Sequence, residues 1–328
     1  MAEYINIKGQ NIEVVSSDPS NPTQGQIWYN TTSQTLKAQG ATTVGTWATA
    51  TSMNTARQSL AGAGTQTAGL GFGGEPGSGN TNAAEEYNGS TWTTVTAYPI
   101  AVQGVRGAGT QTAGLGFGGY TTTTVSTTNE YDGTTWTPSV GLNTARTLMG
   151  AAGTQTAALT FGGNIGPPNP ASGATEEYDG SSWATSPGSL NTGRRFLAGA
   201  GTQTAALGFG GTPPVTAATE EYDGTSWTSV TSLNTARNYL AGCGTQTAAL
   251  AFGGGSPATG TTELYDGSTW TSNPTGLNTT RSILAGAGTQ TAGLAFGGSG
   301  APGSPTYTAA TEEFTGPGSP VTVTITGT

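Results

Sequence analysis

Five arginines recur at one position of a repeated pattern, seven residues before the glycine of a Gly-Thr-Gln-Thr-Ala string: Arg57, Arg146, Arg194, Arg237 and Arg281. Val102 takes this position in the second copy, and Arg106 lies elsewhere. Glutamates recur directly before a tyrosine: Glu86, Glu130, Glu177 and Glu221. A guanidinium binds anions through a planar fork of N–H donors. The arginines therefore either form a ring that binds an anionic glycan near the centre of the fold, or pair with glutamates and loop carbonyls to fix a turn; we favour pairing.

The other reactive residue types argue against catalysis. The chain has no histidine and one cysteine. Cys243 stands where other copies have alanine, which predicts a small buried side chain. A glycosidase needs two carboxylates across a cleft, but most acids belong to a repeated Glu-Glu-Tyr-Asp set, and Glu75 is the loop acid outside it. Isolated Asp-Gly turns do not cluster the oxygen ligands that calcium needs. We therefore predict no enzyme activity, no cofactor and no metal site.

Composition and charge argue against several further classes of protein, including disordered, nucleic-acid-binding and membrane proteins. The 328 residues include 55 glycines and only 8% charged residues, with a net charge of −9. The 7 tryptophans and 11 tyrosines recur at regular places, which favours short strands joined by tight turns rather than disorder. A basic surface for nucleic acid or anionic membranes is missing. The N-terminus has no secretory signal pattern, and no apolar run is long enough to cross a membrane.

The chain repeats one unit six times, with the string's glycine at 64, 109, 153, 201, 244 and 288. A period of this length indicates a propeller or a solenoid. Each period holds four short strand-like runs, which we name strands A to D: "YLAGCG", "TAALAFGG", "TELYDG" and a run that begins at tryptophan, as in residues 227–270. Four strands per period are typical of a propeller blade. The predicted fold is therefore an all-β, six-bladed β-propeller with a short N-terminal β-hairpin arm.

Strand B predicts how neighbouring blades pack. Leu250 and Phe252 alternate with Ala249 and Ala251, so one face of the sheet is bulky and the other is nearly bare. The bulky face of one blade is expected to fill against the bare face of the next. Strand A consists of alanine and glycine because it would lie nearest the central axis, where room is least. An Asp-Gly or Asn-Gly turn between tyrosine and tryptophan predicts that strands C and D form a hairpin.

These residues resemble the kelch repeat, whose pattern is a Gly-Gly doublet, a tyrosine and a tryptophan at set spacings. The resemblance covers about residues 45–316 and implies a bladed propeller. Kelch-type propellers include copper oxidases, whose histidine and cysteine ligands this chain does not supply. Sialidase propellers carry an Asp-box turn, and the Asp132–Trp136 segment is one residue too short for it. The resemblance supports a fold and is silent on function.

Ring closure leaves two candidates for the last strand D. The final strand C, "ATEEFTG", has Phe314 in place of tyrosine and no tryptophan after it. Either Trp47 in "GTWATA" or the run "PVTVTITG" at 320–327 supplies the missing strand. We favour Trp47 because it lies 17 residues before Gly64, as Trp92 does before Gly109. The predicted domains are therefore an arm at 1–44 and a propeller at 45–328, closed by the strand at Trp47, and the C-terminal run would be an extra edge strand.

Loop variation separates two sides of the predicted propeller. The A–B and C–D turns are nearly identical in every copy, whereas the B–C loops differ freely. Loops on a rigid scaffold commonly bind partners, although loops without a packing role also vary freely, and both interpretations stay open. The candidate binding residues lie in these polar loops: Asn80, Asn82, Tyr120, Asn164, Asn169 and Tyr307.

The first 44 residues lack the repeat. The stretch "GQIWYNTTSQTLKAQ" reads as a strand, a turn and a strand, and resembles segments of virion and tail-fibre proteins of tailed phages that infect marine cyanobacteria. In such proteins the N-terminal part attaches to the particle and the distal part faces the host.

Three functions follow as hypotheses. The first is a phage virion fibre, adhesin or decoration protein, made in the host cytoplasm, that binds a host-surface glycan or receptor and attaches to other virion proteins through its arm. The second is an architectural virion or filament subunit without a ligand. The third is a kelch-type interaction adaptor, which fits poorly because no second interaction domain is visible. A homo-oligomer is compatible with each of these hypotheses.

Overall fold

The computed structural model describes residues 12–20, 22, 25–41, 44–167, 171–300, 307–318 and 320–325. Within these ranges every regular element is a β-strand, and we number the strands β1–β30 in chain order. No helix in the described part of the chain is long and apolar enough to cross a membrane. The chain divides into two compact units, Met1–Gly45 with Gly316–Thr328 and Thr46–Thr315.

The terminal unit contains one four-stranded sheet in the order β1-β2-β3-β30. Its strands are β1 (Glu13–Val15), β2 (Ile27–Asn30), β3 (Thr35–Ala41) and β30 (Pro320–Ile325). Strands β2 and β3 form the antiparallel hairpin that the sequence predicts, β1 pairs with β2 in parallel, and β30 pairs antiparallel with β3. The run at 320–325 therefore differs from its predicted place in the propeller domain: its alternating pattern pairs with β3, so the boundary of the repeat unit lies at Gly316.

The Asp18 carboxylate connects the strands of the terminal sheet. It accepts hydrogen bonds from Trp28 Nε1 at 3.0 Å and Asn30 Nδ2 at 2.7 Å, and it forms an ion pair with Lys37 Nζ at 2.6 Å. The Lys37 hydrogen bond, followed by those of Asn30 and Trp28, lowers the pKa of Asp18 to about 2.

A pH titration checks the role of Asp18. A depressed carboxyl pKa gives stability that is present above the unfolded-state pKa of about 4 and is lost as the pH falls through the folded-state value. We expect the Trp28 indole N–H resonance to stay constant down to about pH 4 and to shift with a midpoint near 2. Asp18→Asn should abolish this transition. A midpoint near the ordinary aspartate value would contradict the prediction.

The repeat unit holds six four-stranded antiparallel sheets, which we number 1 to 6, and the mixed sheet of the terminal unit is the seventh four-stranded sheet among the described residues. The strands of sheets 1 to 3 are β5 (Ala61–Thr65), β6 (Ala68–Phe72), β7 (Ala84–Tyr87), β8 (Trp92–Thr94); β9 (Arg106–Gly109), β10 (Gly114–Phe117), β11 (Thr128–Tyr131), β12 (Trp136–Ser139); and β13 (Gly150–Gly153), β14 (Ala158–Phe161), β15 (Thr175–Tyr178), β16 (Trp183–Thr185).

Sheets 4 and 5 repeat this order, and sheet 6 borrows its last strand from the start of the unit. Their strands are β17 (Ala198–Gly201), β18 (Ala206–Phe209), β19 (Thr219–Tyr222), β20 (Trp227–Val230); β21 (Ala241–Gly244), β22 (Ala249–Phe252), β23 (Thr262–Tyr265), β24 (Trp270–Asn273); and β26 (Ala285–Gly288), β27 (Ala292–Phe296), β29 (Thr311–Thr315), β4 (Thr46–Ala50). A two-stranded ribbon joins β25 (Arg281–Ser282) to β28 (Ser299–Gly300). The prediction that the Trp47 strand completes the last sheet is confirmed by the pairing of Trp47 with Phe314.

The repeat unit closes on itself around an axis. Strand A of each sheet contacts strand A of the next, from β5 through β9, β13, β17 and β21 to β26, and β26 contacts β5. Six residues just before these strands also form a closed chain of backbone hydrogen bonds, in which each N–H donates to the carbonyl of the preceding member: Ser59, Gly104, Leu148, Phe196, Tyr239 and Ile283. This all-β arrangement of repeated four-stranded sheets is consistent with a β-propeller.

Neighbouring sheets interlock through glycines on strand B. A Cβ at Gly208 would lie 2.7 Å from the Phe161 ring of the preceding sheet, and a Cβ at Gly116 would lie 2.6 Å from the Phe72 ring. A leucine fills the space beside the glycine two residues earlier on the same strand: a Cβ at Gly114 would lie 2.9 Å from Leu70 Cδ2. The predicted packing of a bulky face against a bare face is therefore confirmed.

Candidate functional site

Uniform residues of the A–B turns fasten each sheet to the one before it. Gln111 Nε2 donates to the carbonyl oxygens of Gly69 at 3.0 Å and Tyr87 at 2.8 Å in the preceding sheet. The same paired contact is made by the equivalent glutamines Gln66, Gln155, Gln203, Gln246 and Gln290. These glutamines were not among the predicted site residues. Their repetition at one turn position was the available signal.

The C–D turns are uniform because their acidic residue satisfies the turn backbone. Asp179 Oδ1 accepts hydrogen bonds from the backbone N–H groups of Ser181 and Ser182, both at 2.8 Å. The Ser181 hydroxyl also donates to this carboxylate, and these contacts lower the pKa of Asp179 to about 2. Both kinds of turn on this side, which we call the uniform side, are therefore occupied by structural contacts.

Two further side-chain contacts cross from each sheet to the preceding one. Tyr222 Oη donates to Glu177 at 2.5 Å, and Trp227 Nε1 donates to Thr175 Oγ1 at 2.9 Å. Burial, followed by the Glu177 hydrogen bond, raises the pKa of Tyr222 to about 12. The glutamates predicted before each tyrosine therefore bind tyrosine hydroxyls of the next sheet rather than arginines.

Two sites depart from these contacts, and each has a compensating change. Phe314 replaces the tyrosine of sheet 6, and Leu264 replaces the glutamate that this tyrosine would meet in sheet 5; both pack in one apolar cluster. Ala84 replaces the threonine of sheet 1, and Trp136 donates instead to the carbonyl of Thr96. In the first exception both partners become apolar, and in the second the Trp136 N–H has another acceptor, so neither substitution leaves its former partner without a favourable contact.

Each of the five recurrent arginines forms a buried ion pair within its own sheet: Arg57 with Glu85, Arg146 with Glu176, Arg194 with Glu220, Arg237 with Glu263 and Arg281 with Glu312. Arg237 Nη2 lies 3.1 Å from Glu263 Oε1, and Nη1 donates to the Thr261 carbonyl at 2.6 Å. The backbone N–H of Asn234 donates to Glu263 Oε2 at 2.7 Å. These arginines are at most 1% exposed, so they fix the D–A loop and do not present a ring of charge to a ligand.

Sheet 2 lacks this ion pair and changes all its members. Val102 and Asn129 take the places of the arginine and the glutamate, and Asn129 Nδ2 donates to Tyr98 Oη at 2.9 Å. Pro99 stands where other sheets have the asparagine whose N–H binds the glutamate. Proline has no N–H. Sheet 2 therefore lacks both the glutamate carboxylate and the backbone N–H that donates to it in the other sheets.

The D–A and B–C loops lie together on the other side of the unit, which we call the variable side. Isolated bridges join them in sheets 1 to 4: Gln58 to Glu75, Gln103 to Tyr120, Thr147 to Asn164 and Arg195 to Thr212. Residue types differ between copies at these positions, and the preceding Gly-Gly doublet is shared.

Some of the predicted binding residues in these loops form hydrogen bonds within the protein, and others are exposed to solvent. Asn80 Nδ2 donates to the Tyr120 carbonyl at 2.8 Å, and Tyr307 Oη donates to Glu75 at 3.3 Å. Asn164 Oδ1 accepts from the N–H of Gly166, and Asn82 is exposed. Tyr120 is 39% exposed. Asn169 lies outside the described residues.

Exposed apolar side chains concentrate on the variable side. Among the described residues of Thr46–Thr315, the exposed large hydrophobic residues are Tyr120, Val140, Ile165 and Val215. Three of them lie in the B–C loops of sheets 2, 3 and 4, and Val140 lies in the D–A loop after sheet 2. The exposed large hydrophobic residues of the described repeat unit therefore all lie on its variable side.

The other chemistry-bearing residues are structural or isolated. Cys243 is buried at 7% exposure as predicted, and burial raises the pKa of its thiol to about 12. Within the described ranges, no three histidine, cysteine, aspartate or glutamate side chains come together in a way that could hold a metal ion.

Comparisons with known proteins support the fold. No family model matches the chain, and no curated protein matches it. Among solved structures, that of YjhT is similar, with a TM-score of 0.68 and 12% sequence identity over 79% of this chain and 95% of the YjhT chain. At this identity the similarity shows the propeller-like fold alone and leaves the function open.

Proposed function

We propose that the repeat unit is a six-bladed, kelch-like β-propeller of a phage virion protein, and that its variable side binds a host-surface glycan or protein. The observation that carries this proposal is that Tyr120, Val140, Ile165 and Val215 all lie on one side of the unit, in loops of differing sequence. The uniform side is occupied by turn and inter-sheet contacts, so its residues have no comparable freedom to bind a partner. The protein acts by binding and has no catalytic role.

The terminal sheet supports a separate attachment role for the arm. Its edge strands β1 and β30 carry the exposed side chains of Val14 and Ile325, at 66% and 43% exposure. An open strand edge with apolar side chains is a template for pairing with another chain. We propose that the arm attaches to neighbouring virion proteins, as the resemblance of its hairpin to phage tail-fibre segments suggests.

A loop variant tests the binding proposal. We expect the full chain to bind a glycan array or intact marine cyanobacterial cells, and a variant with Tyr120, Val140, Ile165 and Val215 changed to serine to bind at least about tenfold more weakly, since large apolar anchors dominate binding energy. The matched control changes four exposed threonines of the uniform side, Thr112, Thr156, Thr204 and Thr247, to serine. This control should bind as the original chain does.

The outcomes separate the proposed functions. Equal binding by the loop variant and the original chain, or no binding to either probe, would contradict the binding role. Imaging of an assembled particle in which neighbouring subunits cover the variable side would instead favour the architectural role.

A further inference from the structure

Arg106 differs from the five recurrent arginines of the repeat unit because it lines a cavity between the A strands. The cavity has a volume of about 90 Å³ and is lined by strand A, or by the residue just before it, in all six sheets. In the other sheets the position of Arg106 is held by Ala61, Gly150, Ala198, Ala241 and Ala285. One sheet therefore places a guanidinium where the others place a methyl group or a hydrogen.

The guanidinium of Arg106 has hydrogen-bond acceptors but no counter-charge. Nε donates to the Met149 carbonyl at 2.6 Å, and Nη1 donates to the Val105 carbonyl at 3.3 Å. Among the described residues, Arg106 forms no ion pair with a carboxylate, whereas each of the five recurrent arginines does. Burial lowers the pKa of Arg106 to about 10, so the side chain stays charged at neutral pH. The Arg106 side chain is half-buried, so its charge is less well hydrated than in bulk water, and an anion beside it would supply the missing counter-charge.

The surroundings of Arg106 suit a small polar guest. Most lining residues are glycine or alanine, so backbone atoms form much of the cavity wall. Strand A is an edge strand of each sheet, and some of its N–H and C=O groups therefore have no partner within the sheet. Next to the cavity, Leu148, Phe196, Tyr239 and Ile283 of the backbone hydrogen-bond ring line a smaller space of about 20 Å³ that Arg106 also lines. The larger cavity has room for several waters or one small anion.

We propose that this axial cavity binds a small oxyanion, a carboxylate or an inorganic anion of similar size, through the guanidinium of Arg106. The site is independent of the proposed partner of the variable side. The free Nη2 end of the guanidinium and the neighbouring backbone N–H groups supply the donors, and the carbonyls of Met149 and Val105 hold the side chain in place.

An NMR titration of the full ¹⁵N-labelled chain with acetate and, separately, with nitrate tests this proposal. We expect saturable shifts of the Arg106 Hε resonance and of the amides of Gly107 and Gly150. Arg106→Ala, which copies the residue of four other sheets, should bind at least about tenfold more weakly. Arg195→Ala is the matched control, because it removes a cation that does not line the cavity, and it should bind as the original chain does.

The two probes and a second variant make every result informative. Saturation by both anions assigns the site to oxyanions in general, and saturation by acetate alone assigns it to carboxylates. Shifts that stay linear with concentration, or equal affinities in the original chain and Arg106→Ala, overturn the proposal. If Arg106→Ala does not fold, Arg106→Lys serves instead: it keeps the charge and loses the planar fork, so weaker binding supports the proposal and unchanged affinity overturns it.

Discussion

Changing Arg237 to alanine is expected to lower the free energy of unfolding by about 3–5 kcal/mol, because removing one partner leaves the other charge buried and unpaired. Glu263 is completely buried and would keep the N–H of Asn234 as a donor but lose its counter-charge. Urea denaturation followed by tryptophan fluorescence measures the effect.

Sheet 2 supplies the matched control for this experiment. A quadruple variant of sheet 5 with Leu233→Tyr, Asn234→Pro, Arg237→Val and Glu263→Asn copies Tyr98, Pro99, Val102 and Asn129. It removes cation, anion and N–H donor together and restores a neutral hydrogen bond, so we expect it to lose at least about 2 kcal/mol less than Arg237→Ala alone. Equal losses would show that the single variant acts through lost packing rather than through the unpaired charge.

Changing Trp47 to alanine is expected to destabilise the repeat unit by about 3–5 kcal/mol, since it empties a buried aromatic site. The Trp47 ring lies 5.0 Å from both Phe252 and Phe314, and its Nε1 donates to Thr262 Oγ1 at 2.9 Å. Strand β4 is joined to sheet 6 by pairing with β29 and not by a C–D turn. We therefore expect faster amide hydrogen exchange in β29 specifically. Trp183→Ala in sheet 3 is the control that should leave β29 less affected, because Trp183 Nε1 donates to Thr128 of sheet 2.

A truncation tests the same closure from the other end of the chain. Deleting residues 320–328 removes β30, which pairs with β3 in the terminal sheet. Amide exchange in β29 should therefore stay as slow as in the full chain. Faster exchange in β29 after this deletion would contradict closure by the Trp47 strand alone.

Much of the repeat unit was predictable because its signals are local. The alternation of large and small residues along strand B and the Asp-Gly turns depend only on residues close together in the chain. The closing strand was predicted from a spacing that two copies share, since Trp47 precedes Gly64 by as many residues as Trp92 precedes Gly109. These features predicted the four-stranded sheets, their packing and the strand that completes sheet 6. The contacts of the candidate site were harder to predict from the sequence, because side chains that meet across sheets come from distant positions in the chain.

The two glutamates of each Glu-Glu-Tyr set illustrate the limit. Successive side chains on a strand point to opposite faces, so Glu176 pairs with Arg146 while its neighbour Glu177 binds Tyr222 of the next sheet. Composition and spacing showed that glutamates and arginines recur together, but they did not show which glutamate each arginine would meet.

The sequence by itself determined the repeated unit, its four strands and its turns, and it favoured one of two closing strands, because periodicity and turn chemistry act over a few residues. Only the tertiary structure decided the partners of the arginines, the glutamine contacts between sheets, the place of β30 and the position of Arg106 at the axial cavity. Each of these depends on which faces of strands remote in sequence come together, and pairing register and sheet packing fix that choice.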